Sequence, residues 1–260
     1  MKKLADKEAI EYWVDTHRFS KHDLQAVCFP NRSVWFNLFF DRIEKFAITR
    51  SLRYLNISIV DNNVLDVGCG RGRWLEFYSA RGANATGIDI SMDAVDSCRQ
   101  KGFIALNGSI ECLPFADNAF DMVNSVTVLQ HLPYEKQKKA VGEMLRVVRD
   151  GGHVTLLENT WDDPSPHVWG RSVEDWRSLL NNCELIFSEN HYYIYLLRAL
   201  WRAPFVNSIQ SIRWLLENSL IAISYPLEFG LMKMNFAKLN KGGLQHLMIF
   251  QKAEGCENER

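Results

Sequence analysis

The feature that most constrains the fold of this chain is an alternation of short β-branched runs with helical stretches that begins at residue 64. The strand-like runs are VLDV at 64–67, ATGIDI at 85–90, FIAL at 103–106, FDMVNSVTVL at 120–129 and HVTLLE at 153–158. Strands that alternate with helices pair in parallel and are joined by crossover connections. With two further strand patterns at 184–193 and 244–252, the sequence predicts an α/β fold, a doubly wound and mostly parallel seven-stranded sheet with helices on both faces.

Two helix boundaries can also be predicted. Ser91 is a suitable cap for a helix that starts at Met92, because its hydroxyl can accept a backbone N–H of the first turn. A stripe of apolar side chains through 140–148 predicts another helix with one buried face. The Asp-Gly-Gly stretch at 150–152 is expected to end that helix and to turn the chain into the strand at 153.

Outside the alternating core the sequence pattern changes. Residues 1–60 lack a strand pattern and carry apolar residues at helical spacing, which predicts a helical N-terminal segment. The core is assigned to 61–195. Residues 196–240 separate the last two strands by a helix-like, aromatic-rich insertion, and 241–260 contain the last strand and a C-terminal tail.

Composition narrows the possible partners. Thirty basic and 31 acidic residues give a net charge of −1, so a general basic surface for nucleic acid is not expected. The six cysteines form no C-x-x-C pair and are interpreted as reduced thiols, and no metal site is predicted. The N-terminus mixes acidic with basic residues before any long apolar run and is a poor signal peptide. No run reaches the roughly 18 apolar residues of a membrane span. A cytoplasmic location is expected.

Three closely spaced glycines follow the first strand. Gly68, Gly70 and Gly72 lie where an open parallel sheet binds ligands, after a strand and before a helix. Without Cβ atoms they allow a tight turn and a close approach of the backbone to a ligand. A glycine cluster can also serve only to make the turn, so this loop alone does not identify a binding site.

Two neighbouring positions narrow the choice of ligand. Asp89 ends the second strand, 17 residues beyond Gly72, where a carboxylate can accept hydrogen bonds from both hydroxyls of a ribose. The dinucleotide fingerprint G-x-G-x-x-G would require glycine at position 73, but Arg73 stands there and bulky Trp74 follows. The loop therefore suits a ligand with a ribose and no pyrophosphate, and a nicotinamide cofactor is the weaker alternative.

Four motifs in this order resemble the class I, Rossmann-like S-adenosylmethionine-dependent methyltransferases of small molecules. They are DVGCGRG at 66–72, GIDIS at 87–91, LPF at 113–115 and LQHL at 129–132. The resemblance covers about residues 60 to 160 well. It implies a methyltransferase that uses S-adenosyl-L-methionine, in which residues 1–60 form an N-terminal helical lid over the cofactor.

The resemblance also implies which residues bind the cofactor. They are Asp66, Gly68, Cys69, Gly70, Gly72, Asp89, Ile90, Ser109, Ile110, Ser125 and Val126. The glycine loop and the end of the fourth strand would hold the methionine part, and the aspartate of the first strand would face its ammonium group. The aspartate of the second strand would bind the ribose, with Ile90 and Ile110 on the adenine. The family often has aspartate at position 109, so Ser109 is a departure that can still accept a bond from the adenine amino group.

The acceptor site is expected along the loops that follow the fourth and fifth strands. His131 is the first candidate for a general base, with a site-shaping role as the alternative, and His167 is the second candidate. A base matters for a hydroxyl acceptor, because positioning alone can supply much of the rate for a better nucleophile. The predicted acceptor-binding residues, for which core packing or a solvated position is the alternative, are Tyr12, Trp161, Trp169, Arg171 and Trp176.

The sequence thus predicts a methyltransferase that acts on a hydroxyl, amine or carboxyl of a small or medium-sized acceptor, such as a sugar or a lipid-linked intermediate. A nicotinamide-dependent oxidoreductase and a non-catalytic cofactor-binding scaffold of the same fold are the alternatives. Nucleic acid is not expected as a partner. Residues 196–239 carry five basic and two acidic residues among six aromatic ones, which fits a helical cap, a peripheral membrane contact or a wall for a lipid-linked acceptor.

Overall fold

The structure is a computed structural model that describes residues 6–20, 22–28, 34–160, 165–191 and 245–255. The helices are α1 (Asp6–Phe19), α2 (Asp23–Val27), α3 (Val34–Tyr54), α4 (Arg73–Ser79), α5 (Met92–Gln100), α6 (Tyr134–Val147) and α7 (Val173–Leu179). The strands are β1 (Asn63–Val67), β2 (Asn84–Asp89), β3 (Ile104–Asn107), β4 (Phe120–Val126), β5 (Val148–Glu158), β6 (Cys183–His191) and β7 (Gln245–Lys252), and a 3₁₀ turn spans Leu129–His131. The predicted insertion at 196–240 and Trp161 lie outside the described residues.

The seven strands form one sheet in the order β3-β2-β1-β4-β5-β7-β6. The strands β1 to β5 pair in parallel, whereas β7 pairs antiparallel with both β5 and β6. The predicted α/β fold with a seven-stranded, mostly parallel sheet is confirmed. The strand order reverses between β1 and β4, and the carboxyl ends of the strands at such a point form the crevice in which these sheets bind ligands.

Two apolar layers cover the sheet. One layer contains Ile48 of α3 together with Trp74 and Tyr78 of α4. The other contains Met144 of α6 and Trp176 of α7. Because both faces are covered, the central strands are buried on both sides, which explains why their sequences are nearly continuous apolar runs.

Two strand boundaries differ from the prediction. β4 ends at Val126 and not at residue 129, because Thr127 adopts a left-handed conformation with φ of 56° and the 3₁₀ turn follows. β5 begins at Val148, directly after α6, so the Gly151-Gly152 pair predicted as a turn lies within the strand. The pairing with β4 shifts register there, and a Cβ at Gly152 would lie 2.8 Å from two backbone oxygen atoms. The glycines thus permit an irregular strand segment.

The helical predictions hold where the structure describes them. Ser91 caps α5, and its Oγ accepts a hydrogen bond from the backbone N–H of Ala94 at 3.4 Å. The N-terminal segment contains the three helices α1 to α3, while its role as a lid stays a prediction. None of the helices in the described part of the chain is both long and apolar enough to cross a membrane.

Candidate active site

A cavity lies at the carboxyl ends of β1, β2 and β4, with α1 on its opposite side. It encloses about 1000 Å³, counted with its open mouth. Most of the residues predicted to bind the cofactor line it, namely Gly68, Cys69, Gly70, Asp89, Ile90, Ser109, Ile110 and Val126. The structure therefore brings together residues from four separate stretches of the sequence.

The glycine loop is shaped by steric limits on both sides. Gly68 and Gly70 have φ values of 67° and 51°, in the left-handed region that favours glycine. A Cβ at Gly68 would lie 2.5 Å from the side chain of Val128, and a Cβ at Gly70 would lie 2.5 Å from that of Val27. Glycine is thus required at both positions by backbone conformation and by space.

Asp89 joins the glycine loop to the start of α5. Its Oδ2 accepts a hydrogen bond from the backbone N–H of Gly70, and its Oδ1 accepts one from that of Ser91, each at 2.8 Å. The side chain is buried and also lines the cavity. Because a carboxylate offers about four lone-pair sites, it keeps acceptor capacity for ligand hydroxyls. The ribose contact stays a prediction that fits this geometry.

The predicted adenine side of the cavity consists of Ile90, Ser109 and Ile110. Ile90 is 42% exposed and offers an apolar surface to a flat ring. The Oγ of Ser109 accepts a hydrogen bond from the backbone N–H of Glu111 at 3.2 Å. Glu111 was not predicted and brings a carboxylate to this wall, where it pairs with Lys136 at 3.0 Å.

Three of the predicted cofactor residues do not line the cavity. Asp66 is 2% exposed, and its Oδ1 accepts a hydrogen bond from Asn124 at 2.7 Å. Burial raises the pKa of Asp66 to about 7, while the bond from Asn124 and the charge of Arg73 oppose this shift. Its Oδ2 is buried without a hydrogen-bond partner among the described residues, and its predicted contact with a ligand ammonium stays a prediction. Gly72 ends the loop with φ of 87°, and Ser125 donates to a buried carboxylate.

That buried carboxylate is Glu158, at the end of β5. Its two oxygen atoms accept hydrogen bonds from Oγ of Ser125 and from the backbone N–H groups of residues 128–130, at distances of 2.7 to 3.1 Å. Burial raises the pKa of Glu158 to about 7, and these hydrogen bonds oppose the shift. Sequence reasoning missed this residue, which holds the turn after β4 and thereby the position of His131.

His131 is held at both ring nitrogen atoms by protein groups. Its Nδ1 lies 2.8 Å from the carbonyl oxygen of His167, so Nδ1 carries the proton and donates. Its Nε2 lies 3.3 Å from Nε2 of Gln130, whose Oε1 accepts a hydrogen bond from the backbone N–H of Asn159 at 2.7 Å. This bond orients the amide so that its nitrogen donates to Nε2 of His131, and the two contacts together fit the tautomer that is protonated at Nδ1. The lone pair that a general base needs is engaged, which favours the site-shaping role.

α1 forms a wall of the cavity through residues that sequence reasoning did not name. Ala9, Ile10, Trp13 and His17 lie on one face of the helix and line the cavity. Nε1 of Trp13 and Nδ1 of His17 are buried without a hydrogen-bond partner among the described residues. The helical spacing of these four residues was a signal for a shared face, but no local signal shows that this face lies opposite the glycine loop.

Arg71 ties α1 and α2 to the glycine loop. Its Nη2 donates to the carbonyl oxygen of His17 and, at 3.1 Å, to that of Ser20, while Nη1 pairs with Asp23 at 3.1 Å. Lys101 donates to Asp23 and to the carbonyl oxygen of Arg71, each at 2.7 Å. The loop that forms one wall of the cavity therefore also holds the helix that forms the opposite wall.

Tyr12 and His167 lie behind the cavity wall. The ring of Tyr12 stacks on that of His167 with centroids 4.6 Å apart. Trp13 meets His131 at a centroid distance of 4.6 Å, and these two residues form the wall itself. Tyr12 and His167 therefore support the wall in this structure, while the predicted acceptor contact of Tyr12 and the predicted catalytic role of His167 stay predictions.

The other described residues predicted to bind the acceptor have structural positions. Trp176 is fully buried between α7 and the sheet, and Trp169 is 7% exposed. Arg171 donates to the side chain of Gln137 and, at 3.1 Å, to the carbonyl oxygen of Tyr134, so it anchors the loop before α7 to α6. None of the three lines the cavity, which favours the alternative of core packing and loop anchoring over acceptor binding.

The chemistry of the cavity fits S-adenosylmethionine. This ligand has an apolar adenine, a ribose, an ammonium group, a carboxylate and a sulfonium, and it has no phosphate. The cavity offers aliphatic walls, the carboxylate of Asp89, and indole N–H groups of Trp13 and Trp74 that have no partner among the described residues. Glycines at 68 and 70 leave space that a side chain would fill.

Comparison with known proteins points to the same class. Residues 65–156 match the family described as a methyltransferase domain. The relatives include the tRNA (carboxymethyluridine(34)-5-O)-methyltransferase of Arabidopsis thaliana, 34% identical over 43% of this chain and 25% of the relative. They also include the malonyl-[acyl-carrier protein] O-methyltransferase of Pectobacterium atrosepticum (31%, over 51% and 54%) and the fatty-acid O-methyltransferase of Mycolicibacterium smegmatis (34%, over 43% and 42%). This chain spans about half or less of the length of these relatives.

Solved structures share the fold. A SAM-dependent methyltransferase from Archaeoglobus fulgidus superposes with a TM-score of 0.54 at 20% identity, over 85% of this chain and all of that one, 100%. The [4+2]-cyclase SpnF superposes with a TM-score of 0.54 at 18% identity, over 83% of this chain and 81% of that one. At such identity the likeness shows the fold alone, and the cyclase illustrates that this fold also serves other reactions.

The fold, the cavity and the matched family define the class. Residues 65–156 match the methyltransferase domain family, and the described residues share the Rossmann-like fold of S-adenosylmethionine-dependent methyltransferases. The predicted family and cofactor are confirmed, and the comparisons support methyl transfer over the nicotinamide alternative.

Proposed function

We propose that the protein transfers a methyl group to an oxygen atom of a small or medium-sized acceptor, and that the favoured acceptor group is a carboxylate. The observation that carries this proposal is the engagement of both ring nitrogen atoms of His131. A carboxylate is already ionised at neutral pH, so it attacks without a general base. A hydroxyl acceptor would gain about 10²- to 10⁴-fold from such a base.

The protein contributes to the rate of methyl transfer by positioning the acceptor against the cofactor. When bound, S-adenosylmethionine supplies an electrophilic methyl group on a positively charged sulfur. Trp13, His131, Leu132 and Pro133 form a wall that keeps water from the acceptor. Alignment in such a site can be equivalent to effective molarities of about 10⁵–10⁸ M. With a carboxylate acceptor, the new oxygen–carbon bond forms as the carbon–sulfur bond breaks, and no proton moves.

The names of the relatives support an oxygen acceptor with a carboxyl group. The carboxymethyl, malonyl and fatty-acid groups in three of those names each contain or derive from one. Lys136 adds a positive charge to the cavity wall, where it pairs with Glu111. Because some relatives are tRNA methyltransferases, tRNA is the second acceptor class, and the net charge of −1 favours the small molecule.

The test is an acceptor screen with radiolabelled S-adenosylmethionine. The panel contains fatty acids, malonyl thioesters, alcohols, sugars, amines and unmodified tRNA. A methyl ester releases methanol in mild alkali, whereas a methyl ether or an N-methyl group does not. We expect an alkali-labile product. An alkali-stable product overturns the carboxylate preference, labelling of tRNA alone overturns the small-molecule acceptor, and bound cofactor without any product supports the scaffold alternative.

His131→Asn separates a site-shaping role from base catalysis. We expect kcat to fall by less than the roughly 10²-fold that removal of a general base causes at minimum, with no change in the shape of the pH profile. His153→Asn, on β5 and away from the cavity, is the matched control. Loss of the acidic limb of the pH profile, where activity falls as a general base becomes protonated, in the His131 variant alone would show that this histidine acts as the base.

A further inference from the structure

Arg73 occupies the position at which a dinucleotide-binding loop would have glycine, and the structure places it in the cavity wall. It follows the glycine loop directly, and it is only 8% exposed. Its Nη1 donates to Oε2 of Glu44 at 2.5 Å and to Oδ1 of Asp41 at 3.4 Å. Both acidic residues belong to α3. One nitrogen atom of the guanidinium therefore makes both ion pairs.

The other two nitrogen atoms of Arg73 have a different environment. Nε and Nη2 donate to no described residue, and neither is among the buried atoms that lack a partner. Because Arg73 lines the cavity, we infer that this unpaired edge is the part of the guanidinium that faces it. The edge formed by Nε and Nη2 is the one that binds a carboxylate with two parallel hydrogen bonds.

The surroundings keep this edge in place. Lys45 pairs with Asp41 at 2.9 Å, so two basic and two acidic side chains balance one another around the guanidinium. The ring of Trp74 lies 5.0 Å from the central carbon of the guanidinium and restricts its position. An amino acid group carries one ammonium and one carboxylate and therefore has no net charge. Its binding leaves the net charge of this cluster unchanged.

We propose that the Nε–Nη2 edge of Arg73 binds the carboxylate of the methionine part of S-adenosylmethionine. The inference uses the assigned cofactor and is independent of the acceptor. The carboxylate is the one anionic group of this ligand, so it is the group that an arginine selects. Arg73, whose size is incompatible with a pyrophosphate, thus also binds the carboxylate, a group that this cofactor has and adenosine lacks.

The test compares three ligands by calorimetry with the wild-type protein. Decarboxylated S-adenosylmethionine lacks only the carboxylate, and 5′-methylthioadenosine lacks the whole amino acid part. We expect S-adenosylmethionine to bind roughly ten- to a hundredfold more tightly than the decarboxylated ligand, the range for charge-assisted hydrogen bonds. Equal affinities for these two ligands overturn the proposal. Failure of all three ligands to bind would instead contradict the cofactor assignment.

Arg73→Lys then assigns the preference to the residue. Lysine keeps the positive charge beside Glu44 but lacks the planar fork, so we expect the ratio of the two affinities to fall at least fivefold while methylthioadenosine binds as before. Arg146→Lys is the matched control, since Arg146 pairs with Glu143 and Asp117 away from the cavity. An equal loss of affinity for all three ligands means that Arg73 only supports the fold. An unchanged ratio of the two affinities means that another group binds the carboxylate. Either result overturns the proposal.

Discussion

At the scale of single residues, Asp89 shows how one side chain serves both the fold and the predicted ligand. Its two oxygen atoms bind backbone N–H groups of the glycine loop and of the first turn of α5. The carboxylate is therefore already oriented in the cavity wall before a ligand arrives. Such preorganisation lowers the entropy that has to be lost on binding.

Replacing Asp89 removes both functions at once. We expect Asp89→Ala to weaken S-adenosylmethionine by at least tenfold, because each charge-assisted hydrogen bond contributes roughly 1.5 to 3 kcal/mol. Calorimetry measures the affinity, and Asp96→Asn, a change at an exposed residue of α5 outside the cavity, is the control. Unchanged affinity of the Asp89 variant would show that the ribose lies elsewhere.

At the scale of elements, the turn between β4 and α6 is organised by the end of β5. Glu158 binds three consecutive backbone N–H groups there, and Asn159 orients Gln130, which in turn contacts His131. The turn would otherwise bury N–H groups without acceptors, which costs about 1 to 3 kcal/mol for each group. The position of His131 therefore depends on a neighbouring strand more than on its own sequence.

Two substitutions at Glu158 test this dependence. Glu158→Ala leaves the buried donors without an acceptor, and we expect it to lower the free energy of unfolding by about 3 kcal/mol or more. Glu158→Gln keeps one oxygen acceptor for Ser125 and residues 128–129, so its loss should be smaller, about 1 to 2 kcal/mol. Urea denaturation gives both values. Equal small losses would indicate that the turn is stable without the carboxylate.

The attachment of α1 to the glycine loop is the second relation between elements. Arg71→Met removes the bonds to the carbonyl groups of His17 and Ser20 and the ion pair with Asp23. We expect faster amide hydrogen exchange across 6–20 and severalfold weaker cofactor binding, because α1 supplies one wall of the cavity. Arg177→Met, which removes an exposed pair on α7, is the control. Normal exchange in α1 would mean that packing alone holds the helix.

At the scale of the whole molecule, buried carboxylates make stability depend on pH. Burial raises the pKa of Asp66 from its ordinary value of 3.8 to about 7. Between these values the folded protein keeps a proton that the unfolded chain releases. Stability therefore falls as the pH rises through this window, by roughly 1.4 kcal/mol per pH unit, and levels off above it. Glu158 and Glu44, with pKa values raised by burial to about 7 and about 6, act in the same direction.

Asp66→Asn isolates one of these groups. The free energy of unfolding of the wild type relative to this variant should decrease between pH 5 and pH 7 and stay constant above pH 8. Urea denaturation at several pH values measures this difference, in which the contributions of the other carboxylates cancel. A difference that is independent of pH would mean that Asp66 titrates alike in the folded and unfolded chain.

The sequence by itself determined the features that depend on interactions between residues close together in the chain. The alternation of strands and helices predicted the α/β fold, and the spacing of Gly68, Gly70 and Asp89 predicted a ligand site at the ends of β1 and β2, where the cavity lies. These predictions succeed because a parallel sheet brings the carboxyl ends of its strands to one edge. The left-handed glycines and the cap at Ser91 are likewise local properties of the backbone.

Only the tertiary structure decided which distant residues complete the site. It placed α1 opposite the glycine loop and Arg73 in the cavity wall, and it set Gln130 and His167 at the two nitrogen atoms of His131. It also moved Trp176 into the core. The physical reason is that these contacts join side chains from separate elements, whose orientation is set by packing of the whole core and not by the spacing of residues in one segment.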